Sequence, residues 1–282
     1  MNGVARRAAC RLALGALLAC AAWLHAAPAP DEVLATIPVR AHTVVERVAH
    51  DRTLFTQGLV LSDGLLIESG GNYRESRLVQ RRLGDARPLR TRALPGDWFA
   101  EGIAAHHGKL YLLTWREGVL QRFTLPDLEP EQRFAYRGEG WGLASDGRHL
   151  IQSDGSATLR WRRPEDFSEL RRLQVRAGAQ PLARLNELEW VNGWLLANVW
   201  LSDSVVAIDP RSGCARWRLE LGELLDARER RRADVLNGIA WDADTGLLWV
   251  TGKLWPWLFA LRIEVPPLPD LAVTDGQCAD AS

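Results

Sequence analysis

Apolar and polar residues alternate in short runs along most of the chain, and the runs come in sets that repeat. Five segments, beginning at Gly58, Gly102, Gly142, Leu188 and Gly238, each open on a short apolar strand, pass a turn and enter a second strand. The turns are Asp63-Gly64, His107-Gly108, Asp146-Gly147, Asn192-Gly193 and Thr245-Gly246. Gly after Asp or Asn between apolar runs predicts a hairpin, because both central turn positions take positive φ. Second strands follow at Leu65–Ser69, Leu110–Trp115, Leu150–Asp154, Trp194–Trp200 and Leu247–Lys253. Third strands such as Val119–Phe123 and Ser204–Ile208 come next, then more polar fourth strands such as Gln132–Tyr136.

Units of about four antiparallel strands, repeated five times, predict an all-β fold, a five-bladed β-propeller. The last unit stops at Pro266-Pro267 without a fourth strand, while Thr43–Val48 precedes the first unit. The N-terminal strand is therefore expected to close the last blade and hide the sheet edge an open ring would leave. One stretch, Glu223 to Asp234, reads as a charged helix between blades.

Ahead of the repeats, Arg6, Arg7 and Arg11 precede an apolar run from Leu12 to Leu24, followed by Ala26, Ala27 and Ala29. Residues 1–27 are read as an export signal, leaving one β-propeller domain over 28–282 in the periplasm or outside the cell. Lipid anchoring at Cys20 ranks lower, because apolar residues follow where a polar tether would stand; a twin-arginine route ranks third. Cys214 and Cys278 remain after signal removal, and the sequence leaves open whether they pair.

Formal charge is zero, from 35 basic and 35 acidic residues, so no basic field is available for nucleic acid or, after signal cleavage, for a membrane. No exposed apolar stretch suggests a second subunit, and a monomer is expected. Of the 35 basic residues only Lys109 and Lys253 are lysine, which singles each of them out.

Equivalent positions of a repeat lie around one axis, so residues flanking the first strands and ending the second strands share a rim. That rim gathers Phe55, Gln57, Phe99, Glu101, Trp141, Asn186, Glu187 and Asn237 with Trp115, Asp154, Trp200 and Lys253. Most of the 13 tryptophans must serve blade packing, but three on one rim beside a carboxylate, amides and a rare lysine suit a small polar ligand with an apolar body. Asp154 is left between a channel cation and a substrate amine. The histidines lack zinc-ligand spacing, and no nucleophile elbow or phosphate loop is present.

The segments Phe55-Thr56-Gln57-Gly58-Leu59, Glu68-Ser69-Gly70-Gly71-Asn72-Tyr73, Phe99-Ala100-Glu101-Gly102, Gly140-Trp141-Gly142-Leu143, Leu185-Asn186-Glu187-Leu188-Glu189 and Asn237-Gly238-Ile239-Ala240-Trp241 resemble the plant and bacterial glutaminyl cyclase family from about Val44 to Ile263. The resemblance implies a five-bladed propeller that closes N-terminal glutamine of peptides or proteins to pyroglutamate with release of ammonia. It implies Glu101 as general base then acid, Lys253 and Asn186 with Gln57 at the amide oxygen, and Phe55, Phe99, Trp115, Trp141 and Trp200 as the substrate pocket. No cofactor is required by this chemistry; plant members carry a cation in the channel, so a structural channel cation stays open here. The rivals are a non-catalytic propeller that binds peptides or glycans through its aromatic rim, and a cation-dependent hydrolase or lactonase.

Overall fold

The computed structural model describes residues 30–85, 87–269 and Cys278; the expected signal segment and Cys20 lie outside the described residues. Five four-stranded antiparallel sheets form the blades of a propeller. Blade 1 comprises Thr56–Ser62, Leu65–Gly70, Arg77–Arg82 and Arg90–Ala93; blade 2 comprises Ala100–His106, Lys109–Thr114, Val119–Thr124 and Pro130–Ala135. Leu143–Ser145, Leu150–Gln152, Thr158–Arg162 and Glu169–Gln174 make blade 3, and Leu185–Val191, Trp194–Val199, Ser204–Ile208 and Ala215–Glu220 make blade 4. Blade 5 holds Leu236–Asp242, Leu247–Gly252 and Trp257–Ile263, and His42–Ala49 pairs with the last of these to complete it.

Burial runs from the axis outward. First strands are buried on both faces, whereas Pro130–Ala135 and Glu169–Gln174 are almost wholly exposed, which is why the fourth strands read as polar. The first strands of neighbouring blades contact one another around the ring. The approach is so close that a Cβ on Gly102 would stand 2.6 Å from Leu143 N, and one on Gly142 would stand 1.9 Å from Asn186 O. The repeated glycine is thus a packing requirement of the ring.

In blade 4 the strand register puts Glu187, not Leu188 as the sequence spacing suggested, at the glycine position, because Leu188 pairs as Ile103 and Ile239 do in their blades. The Glu187 carboxyl oxygens accept the backbone N–H groups of Leu59 at 3.3 Å and Ile239 at 2.9 Å, tying blades 1, 4 and 5 together. Burial lifts Glu187 well above the ordinary carboxylate range, and Glu189 beside it adds to the rise.

Three hairpins have positive φ at both turn residues: Asp63-Gly64, His107-Gly108 and Asn192-Gly193. The other two expected two-residue turns are longer. Asp146 caps the N–H groups of Arg148 and His149, and Asp242 caps those of Asp244 and Thr245, so only the glycine of each needs positive φ. The expected helix over Glu223 to Asp234 contracts to one turn, Ala227–Arg230, started by a capping box of Asp226 and Glu229. Its charged surface buries no side chain, so nothing extends it. A second short helix, Pro30–Ala35, buries Val33 and Leu34 against blades 3 and 4. Cys214 and Cys278 are joined as a disulfide, which closes the question the sequence left open.

Candidate active site

At one end of the ring lies a cavity of about 480 Å³. All nine residues singled out for catalysis or substrate binding line it: Phe55, Gln57, Phe99, Glu101, Trp115, Trp141, Asn186, Trp200 and Lys253. Phe55, Gln57, Phe99, Glu101, Trp141 and Asn186 sit at or just before first strands, while Trp115, Trp200 and Lys253 follow second strands. The five-fold repeat brings these two registers to the same rim.

Glu101 is the buried acid of this cavity. Gln57 Nε2 donates to Glu101 Oε1 at 3.0 Å, and Asn237 Nδ2 donates to Thr56 O at 3.0 Å and lies 3.5 Å from Gln57 Oε1, which sets the orientation of the Gln57 amide. Burial pushes Glu101 well above the usual carboxylate range; Lys253 pulls the other way, and Glu139 and Glu117 push further up. The Lys253 ammonium stands over the Phe55 ring, 4.6 Å from its centroid. Burial lowers its pKa, while Glu101 and Asp234 oppose that fall. Lys253 and Glu101 act on one another through space, with no salt-bridge contact between them among the described residues. Asn186 Oδ1 is buried with no hydrogen-bond partner among the described residues, an acceptor left for a ligand.

Phe99 meets Phe55, Tyr73 and Trp115 edge-on, and Trp141 meets Trp200 edge-on at 5.5 Å. The tryptophans are held from behind by a residue the sequence did not single out. Glu139 Oε2 accepts the indole N–H of Trp115 at 2.9 Å and of Trp141 at 3.0 Å, while Arg116 pairs with Oε1 and stacks on Trp115. Asn72, Leu201 and Asp234 also line the cavity. Asn72 lies just past the second strand of blade 1, so the rule that found Trp115, Trp200 and Lys253 reaches it too; Glu139 carries no such signal.

Three shortlisted rim residues do other work, Asn237 being the one that braces Gln57 from behind. Asp154 is engaged by Arg160 and by the Ser156 hydroxyl and does not line the cavity. Glu187 belongs to the axis, where both oxygens already accept backbone N–H groups, and the described residues contain no group of three His, Cys, Asp or Glu placed to hold a metal.

A five-bladed propeller whose end cavity joins a buried carboxyl of raised pKa, a buried lysine and an aromatic wall defines an acid–base site for a small amide- or amine-bearing ligand. A family model described as Glutamine cyclotransferase matches residues 15–263, and the chain belongs to that family. It is 36% identical over 242 residues to the glutaminyl-peptide cyclotransferase of Arabidopsis thaliana, covering 83% of this chain and 75% of that protein. The crystal structure of Myxococcus xanthus glutaminyl cyclase, 37% identical, matches with a TM-score of 0.74 over 81% of this chain and 99% of that one.

Proposed function

We propose that the protein is a glutaminyl-peptide cyclotransferase, converting N-terminal glutamine of peptides or proteins to pyroglutamate with release of ammonia. The observation that carries this reading is Glu101, buried, held by Gln57 and facing an aromatic cavity that also contains Lys253. The family and both relatives support it.

The reaction requires the α-amine nitrogen to attack the side-chain amide carbon, forming the ring C–N bond. The tetrahedral carbon then expels its amide nitrogen as ammonia. Glu101 as carboxylate binds the α-amine, takes the proton that the amine loses on attack, and returns it to the departing nitrogen. A carboxyl that burial lifts well above its ordinary range suits both transfers. Lys253 and the Asn186 amide stabilise the oxygen as charge develops on it, and Gln57, with one N–H committed to Glu101, has its second N–H free to assist. Phe55, Phe99, Trp115, Trp141 and Trp200 exclude water and hold the glutamine side chain folded back on its own amine.

No metal enters this scheme. Export is part of the same reading: the basic and apolar pattern of residues 1–27 and the Cys214–Cys278 disulfide both suit the periplasm or the cell exterior. The test is ammonia release from an N-terminal glutaminyl dipeptide by the protein in EDTA, beside Glu101→Gln. Release by the wild type and its loss in the variant is expected. Peptide binding without any release would replace the cyclase by a recognition module, and loss of activity with EDTA would favour a metal-dependent enzyme.

A further inference from the structure

The cavity does not end at its aromatic wall. A second cavity of about 410 Å³ adjoins it, and Leu201 and Asp234 line both. These two residues stand as posts on the boundary between the catalytic cavity and a groove lined further along by Asp203 and Arg230. A substrate whose first residue occupies the cavity has to send the rest of its chain out somewhere.

Both posts are built in a way that idle surface residues are not. Leu201 is 52% exposed and has φ +64, a backbone region that costs a leucine energy. The tight turn around it is held by Ser202, whose N–H and hydroxyl both donate to Val199 O, at 3.1 and 2.7 Å. The strain presents an apolar side chain to solvent at the cavity mouth. Asp234 is fixed to the catalytic lysine's backbone: its N–H donates to Lys253 O at 2.9 Å, and the Lys253 N–H donates to Val235 O at 3.0 Å. Its carboxylate accepts the Val235 N–H through Oδ1 and forms no ion pair among the described residues. The cation further down the groove, Arg230, is already committed to both oxygens of Asp203, each at 3.1 Å.

We propose, resting on the cyclase reading, that the gap between Leu201 and Asp234 is the subsite for the residue following the N-terminal glutamine, and that it favours arginine or lysine there. The aliphatic stem of such a side chain packs on Leu201 while its charged head meets the Asp234 carboxylate. The groove beyond takes the peptide chain.

The test is kcat/KM for glutaminyl-arginine amide and glutaminyl-glutamate amide at low ionic strength, by ammonia release, in the wild-type protein, Asp234→Asn and Leu201→Gly. An exposed charge pair predicts a preference for arginine over glutamate of roughly 2–5-fold, shrinking as salt is added. Asp234→Asn keeps an acceptor for the Val235 N–H and brings the ratio close to one. Leu201→Gly, which removes the strained side chain, lowers kcat/KM for the arginine amide relative to glutaminyl-glycine amide. Turnover with no charge preference, or a preference unchanged by Asp234→Asn, overturns the subsite and leaves the cyclase standing. No ammonia from any peptide removes both.

Discussion

Gln57 Nε2 lies 3.0 Å from Glu101 Oε1, a buried hydrogen bond that joins blade 1 to blade 2 in the lining of the cavity. The donor fixes one oxygen of the acid and leaves the other to the substrate. The arrangement makes the acid's position depend on a neighbour, and its proton affinity depend on burial.

Glu101→Gln keeps the shape of the side chain and removes its proton transfer. General acid–base catalysis contributes roughly 10²–10⁴-fold, so kcat should fall by that order while peptide binding persists. Steady-state ammonia release with binding measured by calorimetry checks both. A variant that retains more than a tenth of wild-type kcat would remove Glu101 from the proton transfers.

Glu139 acts on the same acid through space, and its negative charge helps hold the Glu101 proton. Removing that charge favours ionisation, so in Glu139→Gln the acid limb of kcat/KM should move to lower pH. The indole N–H groups of Trp115 and Trp141 lose their charged acceptor at the same time, and KM should rise. Loss of kcat with an unmoved limb would count against an electrostatic role.

Lys253 sets the other side of the profile. Burial lowers its pKa, and it must stay protonated to stabilise the developing oxyanion, so activity should decline on the alkaline side. Lys253→Met should cost kcat roughly 10²–10³-fold, the range for loss of one oxyanion donor, and should abolish that alkaline limb. Retention of the limb in the variant would show that Lys253 is not the group whose deprotonation ends activity.

Glu68 anchors the closure of the ring. It is fully buried, with His50 Nε2 at 2.9 Å, Arg81 Nη2 at 3.4 Å and the Thr56 hydroxyl at 2.6 Å, while His50 Nδ1 lies 2.8 Å from Trp255 O of blade 5. Glu68→Gln leaves Arg81 buried without its counter-charge and should destabilise the protein by about 3–5 kcal/mol. Urea unfolding with the m-value monitored reads this directly; a change below about 1 kcal/mol would mean the network relaxes at no cost.

The axial carboxyls make stability depend on pH. Glu187 is raised well above the carboxylate range by burial, and burial lifts Glu189 to about 8. A raised folded-state pKa means the native protein binds more protons than the unfolded chain above pH about 4.5. Their contribution therefore weakens as pH climbs from there, through about 8 in the case of Glu189. Each group adds a slope of at most about 1.4 kcal/mol per pH unit. Glu187→Gln should flatten the fall in unfolding free energy across this window, and an unchanged slope would show that Glu187 ionises freely in the folded protein.

The repeat of apolar strands and Asp-Gly or Asn-Gly turns was enough, by itself, to determine the propeller, its five blades and its closure by Thr43–Val48. It also located the rim, because equivalent positions of a repeat must share a distance from the axis. Phe55, Glu101, Trp200 and Lys253 could be gathered into one cavity without any coordinates for that reason. What the repeat could not reach was the contact of one side chain with another. The hydrogen bond from Gln57 to Glu101, the grip of Glu139 on Trp115, the disulfide, and the Glu187 carboxyl tying blades 1, 4 and 5 each join residues far apart in the chain. They depend on rotamers and on how the blades pack. Asp154 obeyed the same positional rule as Lys253, yet Arg160 claims it. The sequence periodicity places a residue around the ring, and only the packed tertiary structure decides which charge it meets and whether water reaches it.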